Sequence, residues 1–490
     1  MREVDLPPVR LEPYKEAFGP ARSAELASVA ERVGKRLAGR VVWQLNSTAA
    51  GGGVAELLYG LGPLAGALGV GTRWLVIDGD AEFFAITKRL CLRLYGIQGD
   101  SGALGPAELA HFRAVTEANA VELARRVRPG DVVVVHDPQP AGLVRVAREC
   151  GASVVWRCHI GSDRPNQHTA EGWAFLRHFL EPEDRMVFST PRHVPGWVER
   201  PTVIPPSIDP CAPRNTDLTD TTATTVLGAV GILANGGPLP VTVPVPVGEP
   251  VTVRRPVTAV REGDPPSARV PMVVQVSRWD RLKDMGGVLR AFGEAGVEGA
   301  YLTLAGPDVG GAVADDPEAA ALFEECRQQW RELPDGLRRR SQLLCLPMTD
   351  LRENALVVNA LQRHATVVVQ KSLAEGFGLT ATEAMWKRRP LVASAVGGLR
   401  DQLDDDRHGL LLDDPKDIPA AAAAIRRLLT DPALAARLGA GARERVAERF
   451  LPDRHLTQWA QLIEDALKDT PGPAAGEPGP GQRRSGTKEH

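Results

Sequence analysis

The stretch TVVVQKSLAEGFGLTATEAMW, residues 366–386, contains an apolar run, a glycine-containing loop and the start of a helix. The run at 366–372 is short and rich in valine, which is typical of a strand buried on both faces of a parallel sheet. The loop reads EGFG from Glu375, and the helix is predicted to begin near Thr380. A strand–loop–helix unit of this kind is the building block of a doubly wound α/β fold.

Similar apolar runs, separated by spacers long enough for a helix, recur in two series along the chain. The first series comprises residues 41–46, 73–78, 131–136, 153–158 and 185–190, and the second comprises 272–277, 301–306, 342–347, 366–372 and 390–395. Alternation of strands and helices predicts parallel sheets covered on both faces. We therefore predict two doubly wound, Rossmann-like lobes that face each other across a cleft.

Changes in composition divide the chain into segments. These are an N-terminal, acceptor-side lobe at 1–206, an insert or linker at 207–270, a C-terminal nucleotide-sugar-binding lobe at 271–446, a helix at about 447–468 that can pack back on the first lobe, and a disordered tail at 469–490. The prolines of PTVIPPSIDP, residues 201–210, disfavour helix and fit a hinge strand between the lobes. The insert is rich in Thr, Val and Pro, and a hairpin, extended chain and disorder all stay open for it.

The composition of the 490 residues narrows the function classes. The hydrophobic fraction of 43% and charged fraction of 24% are ordinary for globular proteins, and no apolar run approaches the roughly 20 residues that span a bilayer. A net charge of −3 gives no reason to bind nucleic acid or an anionic membrane. The six cysteines form no C-x-x-C pair, and the N-terminus lacks a secretory signal, so we expect a cytoplasmic protein whose partners are small molecules.

Three consecutive glycines, Gly51, Gly52 and Gly53, follow the first predicted strand. Glycine allows close approach of the backbone to a ligand, and free amides at a helix N-terminus suit a phosphate. A flexible turn explains the same residues equally well.

Two basic residues, Arg278 and Lys283, follow the strand at 272–277 in the stretch SRWDRLKDMGG. Fixed positive charge stabilises a departing diphosphate as its negative charge develops. The alternative is a solvated surface loop in which these side chains pair with Asp280 and Asp284.

Two acidic residues of the opening stretch, Glu375 in the loop and Glu383 about one turn inside the helix, face different parts of one ligand in this interpretation. The helix N-terminus between them favours a phosphate, and a carboxylate accepts hydrogen bonds from sugar hydroxyls. A T-x-x-E capping box from Thr380 to Glu383 explains the second glutamate without a ligand, but it leaves the first unexplained.

Polar side chains that follow strands of the first series are expected at the same cleft, namely His136, Asp137, Gln139, His159 and Asp163. For His136 we favour a packed residue that hydrogen bonds to backbone. Asp78 and Asp80 resemble a D-x-D metal pair, but a turn with Asx hydrogen bonds is favoured. The acidic run at 404–406 is expected in a solvated turn.

The E-x7-E arrangement headed by E-G-F-G, together with S-R-x-D-x-x-K-D, resembles the retaining GT-B glycosyltransferases of family GT4. The stretches WQLNSTAAGGGVAELL, HDPQPAGL, WRCHIGSDRPN, PPSIDP and NALQRHATVVVQKSLAEGFGLTATEAMW resemble the trehalose synthases, which join glucose from a nucleoside diphosphate glucose to free glucose. The resemblance covers most of residues 20–465 and fails across the insert and the tail. It implies a GT-B fold and a glucosyltransferase that forms α,α-trehalose.

The resemblance also implies a role for each candidate. The catalytic residues are His159, Arg278, Lys283 and Glu375; the donor-binding residues are Gly51, Gly52, Gly53, Arg278, Lys283, Glu375, Gly376, Phe377, Gly378, Leu379 and Glu383; and the acceptor-binding residues are Asp137, Gln139 and Asp163. The two basic side chains hold the diphosphate, Glu375 the donor glucose and Glu383 the ribose. Nucleoside diphosphate glucose is a substrate, no cofactor is tightly bound, and no divalent metal is required for donor binding. A homodimer is left open.

Three alternatives accompany this hypothesis. A trehalose phosphorylase shares the fold and similar motifs, and orthophosphate takes the place of the nucleotide there. Another GT4 glucosyltransferase, of the glycogen or sucrose type, differs mainly in N-terminal loops. A non-catalytic nucleotide-sugar sensor keeps the fold without turnover, although Glu375 and Glu383 speak against it.

Overall fold

The computed structural model of the chain describes residues 1–50, 52–100, 102–310 and 317–468. The strands of these residues form two seven-stranded sheets and one two-stranded hairpin. Gly51 and the predicted tail at 469–490 lie outside the described residues. No helix in the described ranges has the length and apolar character needed to cross a membrane.

The first sheet has the strand order β1-β3-β2-β4-β5-β6-β7 and is parallel except for β1, which pairs antiparallel with β3. Its strands are β1 (Arg2–Val4), β2 (Val42–Asn46), β3 (Thr72–Val76), β4 (Val132–His136), β5 (Ser153–Cys158), β6 (Arg185–Phe188) and β7 (Arg200–Val203). Its helices are α1 (Glu12–Phe18), α2 (Pro20–Arg36), α3 (Gly53–Ala67), α4 (Ala81–Leu94), α5 (Pro106–Arg126), α6 (Val144–Glu149) and α7 (Gln167–Leu176).

The insert is folded. It contains helix α8 (Asp220–Ala229), the antiparallel hairpin β8 (Val241–Val243) and β9 (Val251–Val253), and strand β10 (Thr258–Arg261). The hairpin alternative is therefore the right one for its centre, because the Val-Thr-Val alternation places Val243, Val251 and Val253 in the core. Strand β10 pairs antiparallel with the edge of the second sheet.

The second sheet has the order β10-β13-β12-β11-β14-β15-β16. Its other strands are β11 (Met272–Val276), β12 (Tyr301–Pro307), β13 (Ser341–Leu346), β14 (Val367–Gln370), β15 (Leu391–Ser394) and β16 (Leu410–Leu412). The helices that follow the insert are α9 (Met285–Ala295), α10 (Pro317–Arg331), α11 (Asp335–Arg338), α12 (Leu351–His364), α13 (Leu379–Trp386), α14 (Leu399–Gln402), α15 (Ile418–Thr430), α16 (Pro432–Arg449) and α17 (Pro452–Lys468).

The last helix, α17, packs on the first sheet. Asp453 accepts two hydrogen bonds from Arg22 of α2, one from Nε at 2.5 Å and one from Nη2 at 2.7 Å. Ala460 and Ile463 join a core cluster with Val132 and Val134 of β4. We call the first sheet with α1–α7 and α17 the first lobe, and the second sheet with α8–α16 the second lobe.

The predicted α/β fold with two doubly wound lobes is confirmed, since every predicted run overlaps a strand. The hinge strand predicted within 201–210 corresponds in part to β7, whereas β1, β10 and β16 were not predicted. These three strands are three or four residues long and lie at sheet edges, so each is too short to give a clear alternating pattern.

Strand order fixes where ligands can reach each sheet. In each sheet the strand order reverses direction between two neighbouring strands. These are β2 and β4 in the first sheet and β11 and β14 in the second. Ligands of open α/β sheets bind at such points, beyond the carboxyl ends of the strands. The loops after β2, β4, β11 and β14 are those that carry most of the candidate residues.

A buried ion pair holds the loop after β11 against β14. The ammonium of Lys371, whose side chain is 0% exposed, donates to Asp284 Oδ2. Asp284 also caps α9 by accepting from the amide of Gly287 at 3.1 Å. The position of Lys283, the preceding residue, therefore depends on this contact.

Replacing Asp284 by Asn is expected to destabilise the second lobe by roughly 3–5 kcal/mol, because it leaves the buried Lys371 charge without a counterion. Asp406→Asn is the matched control. Both residues have positive φ, 44° and 55°, which asparagine tolerates, but the Asp406 carboxylate is 51% exposed. Its loss should cost less than about 1 kcal/mol. Urea unfolding followed by tryptophan fluorescence measures both, and equal losses would contradict the role of the buried pair.

Candidate active site

The central contact of the site joins the loops after β11 and β14. Lys283 Nζ donates to Glu375 Oε2 at 2.5 Å, and Ser372 Oγ donates to the same oxygen at 3.1 Å. Both charged side chains are largely buried, at 13% and 10% exposed. The structure thus brings two sequence-predicted residues together although they lie 92 positions apart.

The glycine loop after Glu375 leads directly into α13. Gly378 is the N-cap at φ +90°, and no side chain caps the helix. The capping-box alternative for Thr380 and Glu383 is wrong, because α13 already begins at Leu379. The first amides of α13 are therefore uncapped and offer an anion-binding terminus beside the Lys283–Glu375 pair. The ring of Phe377 is buried and packs against Phe450 at 5.5 Å, and its carbonyl accepts from Gln402 Nε2 at 2.5 Å, so Phe377 fixes the shape of this loop.

The two lobes are in contact at this loop. A Cβ on Gly376 would lie 2.2 Å from the carbonyl oxygen of His159 in the first lobe. Gly397, at φ +49°, donates its amide hydrogen to Asp163 Oδ2 at 2.7 Å. The structure therefore shows a closed cleft, in which residues that follow β5 meet residues that follow β14 and β15.

A pair of stacked histidines forms the first-lobe wall. Nδ1 of His136 lies 2.9 Å from Nε2 of His159, and Nε2 of His136 lies 2.7 Å from Gln44 Oε1. His136 is buried as expected, but its hydrogen bonds go to side chains and not to backbone. Burial lowers the pKa of His136 to about 3 and holds the pKa of His159 well below its usual range. Both imidazoles are thus neutral near pH 7.

The acceptor candidates surround this wall. Asp137 adopts a positive φ of 63° and accepts from the amide of His159 at 2.7 Å. Burial raises the pKa of Asp137 to about 7. Gln139 instead directs its amide toward Cys91 Sγ at 3.7 Å.

Arg278 and the glycines of the first-lobe loop occupy the rim. Arg278 is 63% exposed and pairs with Asp280 at 3.0 Å, so the surface-pair alternative describes its present state. Gly52 is the N-cap of α3, and Gly53 begins that helix. A Cβ on Gly53 would lie 3.1 Å from Leu379 Cδ1, which places this loop against the N-terminus of α13.

Glu383 lies deeper, on the buried face of α13. Arg214 of the insert is its ion partner at 3.8 Å, and Arg214 also reaches Glu56 of α3 at 3.0 Å. Burial raises the pKa of Glu383 to about 7. Within the described part of the chain, Glu383 Oε2 is buried and has no hydrogen-bond partner, so it is free to accept from a ligand.

Three residues of this network were not predicted from sequence. Lys387 donates to Gln362 Oε1 at 2.8 Å and to the carbonyl of Glu383 at 3.1 Å, and burial lowers its pKa to about 7. Its position four residues after Glu383 on one helix was a usable signal. Glu56, one turn into α3, gave a weaker signal in the sequence. Arg214 had none, because it lies in the insert, where the sequence pattern is atypical.

The acidic pairs set aside from the sequence have structural roles. Asp80 caps α4 by accepting from the amide of Phe83 at 2.8 Å, which confirms the turn interpretation. Asp406 pairs with Arg427 at the surface. Among the residues described, no cluster of three or more His, Cys, Asp or Glu side chains is placed to hold a metal ion.

Two family models match the chain. Residues 44–195 match "Trehalose synthase, N-terminal domain", and residues 352–445 match "Glycosyl transferases group 1". The first match contains the histidine wall and the glycine loop, and the second contains Glu375 and Glu383.

Several proteins of known identity are similar along most of the chain. Trehalose synthase from Rubrobacter xylanophilus is 34% identical over 94% of this chain and 99% of its own length. Trehalose synthase from Pyrococcus horikoshii is 32% identical over 93% and 96%. Trehalose phosphorylase from Pleurotus pulmonarius is more distant, at 23% identity over 92% of this chain and 60% of the phosphorylase.

The solved structure of α,α-trehalose 6-phosphate synthase from Burkholderia multivorans has the same GT-B fold. It matches with a TM-score of 0.60 and 16% identity over 88% of this chain and 97% of that one. The extent and level of the sequence matches, on this fold, show that the chain is a glycosyltransferase that belongs to the trehalose synthase family.

Proposed function

We propose that this enzyme transfers glucose from a nucleoside diphosphate glucose to free glucose and forms α,α-trehalose with retention of configuration. The observation that carries the proposal is the Lys283–Glu375 pair at the uncapped N-terminus of α13, in the loop whose Gly376 lies against the carbonyl of His159. One cation for phosphate and one carboxylate for hydroxyls are the groups that a sugar diphosphate requires. The full-length similarity to trehalose synthases supports glucose as the acceptor.

The donor is held along the loops after β11 and β14. Lys283 and Arg278 neutralise the diphosphate, together with the amides of Gly376–Leu379 at the helix N-terminus. Glu375 accepts from hydroxyls of the donor glucose once Lys283 turns to the phosphate. Glu383, with one free oxygen, accepts from the ribose hydroxyls. Gly52 and Gly53 of the first-lobe loop contact the donor from the other side of the cleft.

Chemistry in this site depends on stabilising the departing nucleotide. The anomeric bond to the diphosphate breaks and leaves an oxocarbenium-like sugar, while fixed positive charge at Arg278, Lys283 and α13 stabilises the anion. We propose front-face transfer, in which a donor phosphate oxygen takes the proton of the acceptor hydroxyl. The lobe contact at Gly376 and His159 excludes water and limits hydrolysis of the donor.

The acceptor glucose lies on the first-lobe side, where Asp137, Gln139 and Asp163 supply polar contacts and His159 lies beside the transferred glucose. The neutral imidazole of His159 can accept or donate one hydrogen bond without adding charge near the developing cation. Asp163 already joins the lobes through Gly397, which couples acceptor binding to closure.

We further propose that donor binding needs no divalent metal, since Arg278, Lys283 and the helix terminus supply the positive charge. A cytoplasmic location and a homodimer belong to the same proposal. Transfer in the reverse direction, from trehalose to a nucleoside diphosphate, follows if the same groups stabilise both ends of the reaction.

Supplying glucose with the adenosine, uridine or guanosine diphosphate ester of glucose is expected to yield α,α-trehalose, identified with its anomeric linkages by NMR. Activity should persist in excess EDTA. In a parallel incubation, trehalose with orthophosphate should give no glucose 1-phosphate. Formation of that ester without transfer from any donor would show a phosphorylase, and a different disaccharide would show another GT4 activity.

Lys283→Ala and Arg278→Ala are each expected to lower turnover by about 10²–10³-fold, because each removes positive charge that stabilises the leaving group. Arg281→Ala is the matched control. It lies in the same loop, is 68% exposed and pairs with Glu325 at 3.8 Å at the surface, so kcat should stay within about twofold. Near-normal turnover in Lys283→Ala or Arg278→Ala would show that the replaced side chain does not stabilise the leaving group.

Donor affinity is expected to depend on pH through Glu383, whose pKa is about 7. The carboxylate that accepts ribose hydroxyls is present above this pH and is lost by protonation below it, so KM for the donor should rise by up to about tenfold per pH unit on the acid side. Glu383→Gln should flatten this dependence, whereas Glu25→Gln on the exposed face of α2 should not. If KM for the donor depends on pH in Glu383→Gln as it does in the wild type, a group other than Glu383 causes the dependence.

A further inference from the structure

A second cavity lies within the first lobe, between the sheet and the layer formed by α2, α3 and α17. The space in it that water-sized molecules can occupy is about 90 Å³, which is room for several waters or for one narrow linear chain. Its walls are aliphatic over most of their length, with Leu26, Val29, Leu57, Leu58 and Ile463 among the lining side chains. A cavity of this size lined by aliphatic groups suits an apolar chain.

One end of the cavity is polar. Gln44, His136, Arg157 and His159 line it. Gln44, His136 and Arg157 lie on the neighbouring strands β2, β4 and β5. The pairing register places their side chains on the same face of the sheet, toward its carboxyl edge. The cavity therefore runs from the helix layer to the back of the histidine wall.

Of the described residues that line that end, Arg157 is the one with a guanidinium charge, and one of its N–H groups has no hydrogen-bond partner. Its side chain is 0% exposed, with Nη1 donating to the carbonyl of Phe188 at 3.0 Å and Nη2 to Ser189 Oγ at 3.2 Å. Nε is buried without a hydrogen-bond partner, and across the described residues no carboxylate forms an ion pair with this guanidinium. Asp137 acts on it electrostatically but gives its hydrogen bond to the His159 amide.

A buried cation without a counterion is costly, and an anion that reaches it is bound strongly in a low-dielectric site. The aliphatic walls exclude a second sugar, because a hexose would leave its hydroxyls without partners there. We propose that this cavity binds a linear carboxylate with an apolar chain of medium length, whose head group pairs with Arg157 and whose tail lies between α2, α3 and α17. The cavity shares the His136–His159 wall with the candidate active site but lies on its other side, since Lys283, Glu375 and Glu383 do not line it.

The test uses the full-length enzyme with decanoate as the probe and decanol as its uncharged counterpart. Decanoate is expected to bind with one-to-one stoichiometry by calorimetry and to raise the thermal unfolding midpoint, since a ligand of the folded state stabilises it. Decanol at the same concentration should bind at least about tenfold more weakly, because it lacks the charge that Arg157 attracts.

Ala30→Leu fills the cavity from α2 without touching the polar end, and it should weaken decanoate binding by at least about tenfold. Ala27→Leu, on the exposed face of the same helix, is the matched control and should bind as the wild type does. Transfer activity without decanoate verifies that both variants are folded. Arg157→Gln should reduce decanoate binding to the level of decanol.

Equal binding of decanoate to wild type and Ala30→Leu would show adsorption to the surface and overturn the site. Equal binding of decanol and decanoate to the wild type would overturn the role of Arg157. Failure of decanoate to bind while trehalose synthesis proceeds would reject this inference and leave the proposed function intact.

Discussion

The ion pair between Lys283 and Glu375 is the interaction on which the arrangement of the cleft depends. It joins two loops that leave β11 and β14, the neighbouring strands at which the second sheet changes direction. Both side chains are largely removed from water, so either one alone would leave a charge without compensation. The diphosphate of a donor can replace Glu375 as the partner of Lys283, and the sugar hydroxyls can replace Lys283 as the partner of Glu375. The pair therefore already contains the two charges that the substrate has to match.

The surroundings of that pair explain why few formal charges face the transferred sugar. Burial keeps His136 and His159 neutral, and it holds the pKa values of Asp137 and Glu383 near 7. Arg214 connects Glu383 of the second lobe to Glu56 of the first, so a residue of the insert links the two lobes at Glu383, the proposed ribose contact. The insert thus contributes a side chain to the site, besides the hairpin and the edge strand.

Much of this organisation could be predicted because it is local. Short valine-rich runs specify buried parallel strands, and glycine before a helix specifies a turn, so the central strands and the loop from Glu375 to Gly378 follow from the sequence. Contacts between distant segments do not follow from such patterns. The Lys371–Asp284 pair, the closeness of Gly376 to His159 and the position of Arg214 all depend on tertiary packing. The capping box at Thr380 was a local pattern that failed because Gly378 supplies the N-cap.

The central claim is that one acidic side chain orients the hexose and another the pentose while Lys283 takes the diphosphate. A crystal structure of the enzyme with a bound nucleoside diphosphate glucose tests this most directly. The account predicts that Lys283 Nζ moves from Glu375 to a phosphate oxygen, with Glu375 on the glucose hydroxyls and Glu383 on the ribose. A donor bound with Lys283 and Glu375 still paired to each other, or with its diphosphate away from the N-terminus of α13, would contradict it.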